Sequence, residues 1–167
     1  MNKKIAQLMT RNVVQVAPET PLSECAELMA WHRISSLLIC ENDKPAGLLT
    51  ERDVVRLLSQ NVPQDQAVSA LMSANLVTVH ADTDFRDAYH LFVLHGIRHL
   101  VVIDGDGRLA GIVSETDFRR HAGIEEFIGL RTVAAIMDRS VLSLQSDERV
   151  IDAAQKMHDR RASCAVV

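Results

Sequence analysis

The stretch Gly47-Leu48-Leu49-Thr50-Glu51-Arg52-Asp53 returns 64 positions later as Gly111-Ile112-Val113-Ser114-Glu115-Thr116-Asp117. Glycine, two aliphatics, a hydroxyl residue, glutamate and aspartate keep their order, which predicts an internal repeat and asks that the rest of the chain be read in the same register. "IAQLMT" at 5–10 recurs as "VSALMS" at 68–73 and, more loosely, as "VAAIMD" at 133–138. Behind each comes a short aliphatic segment, "VVQV" at 13–16, "LVTV" at 76–79 and "VLSL" at 141–144, which reads as a strand. A helical stripe follows at spacing i, i+3, i+4, i+7. It is Leu22, Cys25, Ala26, Met29 in the first copy, Phe85, Ala88, Tyr89, Phe92 in the second, and Val150, Ala153, Ala154, Met157 in the third.

After the helix, "SSLLIC" at 35–40 and "HLVVID" at 99–104 read as buried strands, each followed by a turn ("ENDKPAG" at 41–47, "GDGRLAG" at 105–111). A further strand then runs into the repeated motif, whose end opens a second helix. Each complete copy is therefore strand, helix, strand, strand, helix. A helix between two strands implies a parallel pair with a right-handed crossover, and the turn adds an antiparallel neighbour. The fold class is α/β: one such unit leaves a sheet face to be covered, so two copies pack as a pseudo-twofold pair.

Composition narrows the function classes. With 167 residues, 47% hydrophobic and 24% charged, the chain has the make-up of a globular protein. A net charge of -4 supplies no basic surplus for a phosphate backbone, which argues against nucleic acid as partner. No stretch approaches the roughly 18 apolar residues of a membrane span. Cys25, Cys40 and Cys164 lack CxxC spacing and sit among apolar residues, as reduced, buried thiols of a cytoplasmic protein would. His90, His95 and His99 have no HExxH pattern and Gly96 interrupts their helix, so no metal is expected. Trp31 reads as a packing or interface residue. No nucleophile–base pair or Walker-type loop is present, so the chain is not expected to be an enzyme.

The repeated motif carries chemistry of its own. Thr50 and Ser114 stand where a strand gives way to a helix, and a helix start offers backbone N–H groups and a positive dipole end to a phosphate. An ionised carboxylate three residues on, Asp53 or Asp117, is acceptor-only and can take both hydroxyls of a ribose. Together these handles suit a nucleotide. The same Ser/Thr-x-x-Asp spacing also suits a helix capping box, and the two roles can coexist.

The order of these elements resembles tandem cystathionine-beta-synthase (CBS) motifs, paired as a Bateman module. Leu8-Met9 and Leu71-Met72, the amphipathic helices and the two closing motifs carry the likeness, which covers almost the whole chain; "RHLVV" and "SSLLI" lack the proline common in the family's second strand. The resemblance implies a regulatory module without catalytic activity or required cofactor. It implies an adenine nucleotide (AMP, ADP, ATP or a related adenosyl ligand) in the cleft between the motifs, with Thr50, Asp53, Ser114 and Asp117 as contacts and Arg98 and His99 as phosphate or wall contacts. A ligand-free dimerisation scaffold is the alternative. The expected domains are a motif pair at 1–122 (motifs at about 5–61 and 68–122) and, at 123–167, a connector with an incomplete third motif. "ASCAVV" at 162–167 aligns with "ISSLLI" at 34–39, so the sequence ends inside a strand, which predicts an output domain beyond it. The run of motifs at the amino end, joined by the connector "GIEEFIGLRTVAAIM", looks similar to the sensory halves of bacterial GGDEF/EAL signalling enzymes, which implies a longer protein with four such motifs. A homodimer is expected.

Overall fold

The structure is a computed structural model and describes residues 3–121, 137 and 139–167. The connector at 123–136 and all of "VAAIMD" except Met137 lie outside the described residues, as does the expected boundary at 122. The chain is mixed α/β. Its first complete copy runs β1 (Gln15–Val16), α1 (Leu22–His32), β2 (Ser36–Glu41), β3 (Lys44–Thr50) and α2 (Glu51–Ser59). The second runs β4 (Thr78–His80), α3 (Phe85–His95), β5 (His99–Ile103), β6 (Leu109–Ser114) and α4 (Glu115–His121), and the third contributes α5 (Val150–Asp159).

Each complete copy makes a three-stranded sheet, in the orders β1-β2-β3 and β4-β5-β6. The first two strands of each are parallel, with Gln15 opposite Leu38 and Thr78 opposite Val101. Ser143 stands opposite Val166, also parallel, at the same separation along the chain. The third copy thus begins the same strand–helix–strand closure around α5. It does so through a single bridge rather than the strand expected over "VLSL", held by Leu144 N–H to Val166 O at 2.8 Å and Val166 N–H to Leu142 O at 2.9 Å.

The hairpins are closed by different turns. Asn42 (φ 52°) and Asp43 (φ 63°) form a two-residue loop in which both residues are left-handed, the twist that matches flanking strands. Between β5 and β6 the Asp104 carboxylate accepts the N–H groups of Asp106 and Arg108, both at 2.9 Å, and Gly107 takes the left-handed position at φ 75°. At the ends of the first helices, Arg33 (φ 52°) and Gly96 (φ 60°) turn left-handed and stop α1 and α3.

The described residues fall into two compact units that do not follow the repeat. One takes in those of Met1–Pro18, Leu38–Leu48 and Ser73–Gly129, the other those of Glu19–Leu37, Leu49–Met72 and Leu130–Val167. The reason is an exchange of leaders. The 3-10 turn Ile5–Gln7 of the first copy docks on the second: Ile5 N–H reaches Thr83 O at 3.0 Å, Ala6 N–H reaches Ala81 O at 2.8 Å, and Phe85 N–H reaches Lys3 O at 2.9 Å. Ile5, Leu8 and Met9 enter a core with Val79, Ala88, Phe92, Leu100, Val102, Val113 and Phe118. In the other unit the leader of the second copy docks on the first, with Val68 N–H on Thr20 O at 2.9 Å and Leu22 N–H on Gln66 O at 3.0 Å. Here α5 packs along α2, burying Ala154.

Several sequence expectations shift. Tyr89 is 45% exposed, its ring resting against Phe118 at a centroid distance of 5.8 Å instead of entering the core. Val150 opens α5 and is exposed. Trp31, 84% exposed, does not pack in a core. Cys25 is buried, and burial pushes its thiol up to about 11; Cys40 is half-buried and Cys164 exposed. The last falls at the register position of Ser36, a half-buried polar site in the first copy.

Candidate functional site

The two junctions named by the sequence are built alike. At the first, the Thr50 N–H donates to Asp53 Oδ2 at 3.0 Å, the Thr50 hydroxyl donates to the same oxygen at 2.6 Å, and the Asp53 N–H donates back to Thr50 Oγ1 at 3.3 Å. At the second, Ser114 N–H and hydroxyl reach Asp117 Oδ2 at 2.8 and 2.6 Å, and Asp117 N–H returns to Ser114 Oγ at 3.3 Å. This is the reciprocal capping box, so the structural role of the motif is realised in both copies. It also uses helix-start donors: Asp53 N–H and Asp117 N–H go to the caps, while Glu51 N–H donates to Ser35 O at 3.1 Å and Glu115 N–H to Arg98 O at 3.0 Å. An anion here would depend chiefly on side chains.

The motif glycine has a packing role. A Cβ on Gly111 would lie 2.8 Å from Thr10 O and 3.0 Å from Met9 Sδ, so only glycine lets the exchanged leader approach β6. That contact is sealed by Thr10 N–H to Ile112 O at 2.8 Å and Ile112 N–H to Thr10 O at 3.0 Å.

The surroundings of the two carboxylates differ. Asp53 Oδ1 accepts Arg56 Nη2 at 3.2 Å, an ion pair one turn along α2. In the second copy Arg119 turns to Glu115 at 3.9 Å and to the Thr116 hydroxyl at 3.3 Å. Asp117 lies near His99 instead. Burial and the Arg98 charge hold the His99 imidazole below its ordinary pKa, and Asp117 opposes them. Arg98 is exposed, His99 half-buried, and His99 sits opposite Ser114 across β5 and β6. The structure thus gathers Ser114, Asp117, Arg98 and His99 around one strand–helix turn and Thr50 and Asp53 around the other. Arg56 escaped the sequence reading, although its place three residues after Asp53 on a helix was the available signal.

Among the described residues, no group of three or more His, Cys, Asp or Glu could hold a metal, and no helix is long and apolar enough to cross a membrane.

Comparisons place this architecture. An uncharacterized 17.7 kDa protein of Acidianus ambivalens is 35% identical over 121 residues, covering 72% of this chain and 73% of its own. An uncharacterized protein of Methanocaldococcus jannaschii is 28% identical over 172 aligned residues, which take in all of this chain and only 39% of that one. Among solved structures, a CBS domain protein of Pyrobaculum aerophilum complexed with AMP superposes with a TM-score of 0.65 at 24% identity, covering 69% of this chain and 89% of that one. The CBS domain pair of protein MJ0100, solved with 5'-methylthioadenosine and S-adenosyl-L-methionine, gives 0.68 at 23% identity, covering 72% and 100%. The family model for the CBS domain matches twice, at residues 5–60 and 68–123, and each match closes just beyond one of the two capped junctions: the chain belongs to the CBS domain family.

Proposed function

We propose that the chain is a regulatory module that binds an adenine nucleotide or related adenosyl ligand at these junctions and passes the binding event to an output domain outside this sequence. The observation that carries the reading is the duplicated placement of a hydroxyl and a carboxylate at the strand–helix turns, Thr50 with Asp53 and Ser114 with Asp117. Arg98 and His99 add contacts at the second. Support comes from the two solved CBS proteins above, whose ligands have adenosine in common. A ligand that prefers one packing of the module shifts the output by its differential affinity for the two states, and no catalysis by this chain is needed. The output is of the GGDEF/EAL kind whose sensory halves the tandem motifs and connector resemble, the module is a cytoplasmic homodimer, and residues 1–122 form its motif pair with a partial third motif behind.

A ligand-free dimerisation scaffold is favoured by one observation: Trp31, Val93 and Leu94 stand 84%, 68% and 75% exposed on α1 and α3, and both carboxylates already have work as caps. A melting screen separates the two. A ligand at 100 times its Kd adds about 2.7 kcal/mol, on the order of 5–10 °C at this size. AMP, ADP, ATP, NAD, S-adenosylmethionine and cyclic dinucleotides should include at least one that produces such a shift; none doing so at millimolar concentration favours the scaffold.

A further inference from the structure

The residues that flank the two junctions occupy the same places with opposite chemistry. Ser35 O and Arg98 O accept the first N–H of α2 and α4 at 3.1 and 3.0 Å, which fixes Ser35 as the counterpart of Arg98 and Ser36 as that of His99. Exposure agrees, since Ser35 and Arg98 are exposed and Ser36 and His99 half-buried, each pair followed by three buried strand residues. The first junction is therefore flanked by two neutral hydroxyls, and the second by a guanidinium and an imidazole. The Arg56 guanidinium of the first copy is held by Asp53 at 3.2 Å. Because the capping box and the flanking carbonyls use helix-start N–H groups at both turns, discrimination for or against phosphate falls to these side chains.

Resting on the adenosyl reading above, we propose that the two copies take different classes of ligand: the Ser114–Asp117 junction takes a phosphate-bearing adenine nucleotide through Arg98, and the Thr50–Asp53 junction takes an adenosyl ligand without phosphate. Arg98 supplies a planar fork that can hold two phosphate oxygens at once, a role for which serine has no substitute. An uncharged 5' group beside Ser35 and Ser36 avoids desolvating a dianion against two neutral hydroxyls, with the nearby Arg56 already held by Asp53.

Calorimetry on the whole chain with AMP and with 5'-methylthioadenosine tests this, using Arg98→Ser, an exposed position whose substitution leaves the core intact. Loss of a charged hydrogen-bond donor should weaken AMP by roughly tenfold or more, with 5'-methylthioadenosine changed much less. Asp53→Asn should shift the ratio of the two affinities the other way. Arg52, exposed on the first turn of α2, is the control cation of the first copy. Loss of AMP with Arg52→Ser but not with Arg98→Ser would overturn the assignment, as would equal weakening of both ligands by Arg98→Ser. Binding of neither ligand by the unaltered chain would sink the adenosyl reading itself, whereas binding of both without discrimination would sink only the division between copies.

Discussion

The turn into α2 and the turn into α4 share a set of internal hydrogen bonds that agree to within 0.2 Å, yet their neighbours have diverged. Asp53 is tied to Arg56 on its own helix, and Ser35 and Ser36 stand beside it. Asp117 lies near the half-buried His99 at the start of β5, and Arg98 stands just before that strand. The difference reaches into the packing. Phe118 on α4 is almost fully buried and gathers the rings of Phe85 and Phe92 at 4.8 and 5.0 Å, so α3 and α4 of one copy close on each other. Val54 holds the matching place on α2 and is half-buried, and α2 packs instead against α5 of the third copy. Duplication has kept what the backbone requires at a strand–helix turn. What lies around the turn was free to specialise, so the cap and the flanking residues can be perturbed separately.

The largest contrast is expected in the core. Phe118→Ala empties the centre of the aromatic cluster and should cost about 3–5 kcal/mol. Val54→Ala removes a smaller, half-buried side chain and should cost on the order of 1 kcal/mol. Denaturant unfolding of the two variants measures both midpoints; equal losses would mean that α2 and α4 are packed to the same depth and that the aromatic cluster adds nothing.

Much of this was legible in the sequence, and the physical reason for the remainder is specific. The stripe Leu22, Cys25, Met29 marks a buried helix face because 3.6-residue periodicity survives any change of neighbour, and all three are buried. Periodicity says which face is covered and is silent on what covers it. Hence the exchange of leaders, which sends Ile5 and Met9 to the second copy's core, and the pairing of α5 with α2 had no signal in either segment alone. From the sequence, Gly111 reads as part of a binding motif. Its requirement for a bare Cα comes from Thr10 O, about a hundred residues away in the chain. The capping box was legible as an alternative because it is local, three residues from donor to acceptor, and local chemistry is what a sequence states most directly.

A pH titration sharpens the contrast at the flanking strand. His99 has a folded-state pKa below its ordinary value, so the unfolded chain binds this proton more readily. Its effect on stability is absent well above the unfolded pKa of about 6.5, and grows as pH falls from there toward the folded value, with a slope of at most about 1.4 kcal/mol per pH unit. His99→Gln should remove that part of the acid sensitivity, leaving a shallower fall between pH 7 and pH 5 than in the unaltered protein. Ser36→Ala, at the matching place in the first copy, should leave the pH profile parallel to the original. Superimposable profiles for His99→Gln and the original would show that the imidazole titrates in the folded protein as it does in water.

The smallest effect concerns the ion pair that distinguishes Asp53. Arg56 is about one third exposed and Asp53 less so, with 3.2 Å between them at (i, i+3) on α2. Pairs of this kind contribute roughly 0.2–1 kcal/mol and are screened by salt. Arg56→Ala should therefore lower stability slightly at low ionic strength, and the deficit should shrink toward zero in about 1 M salt, where the Debye length is only about 3 Å. Arg120 occupies the corresponding place on α4 and is exposed, so Arg120→Ala should cost less than Arg56→Ala at every salt concentration. Urea melts of both variants at low and high salt decide the matter. If Arg120→Ala proves as costly and as salt-sensitive as Arg56→Ala, then Asp117 also relies on its helix's arginine in solution, and the electrostatic contrast between the two carboxylates is lost, leaving Ser35-Ser36 against Arg98-His99 as the difference between the junctions.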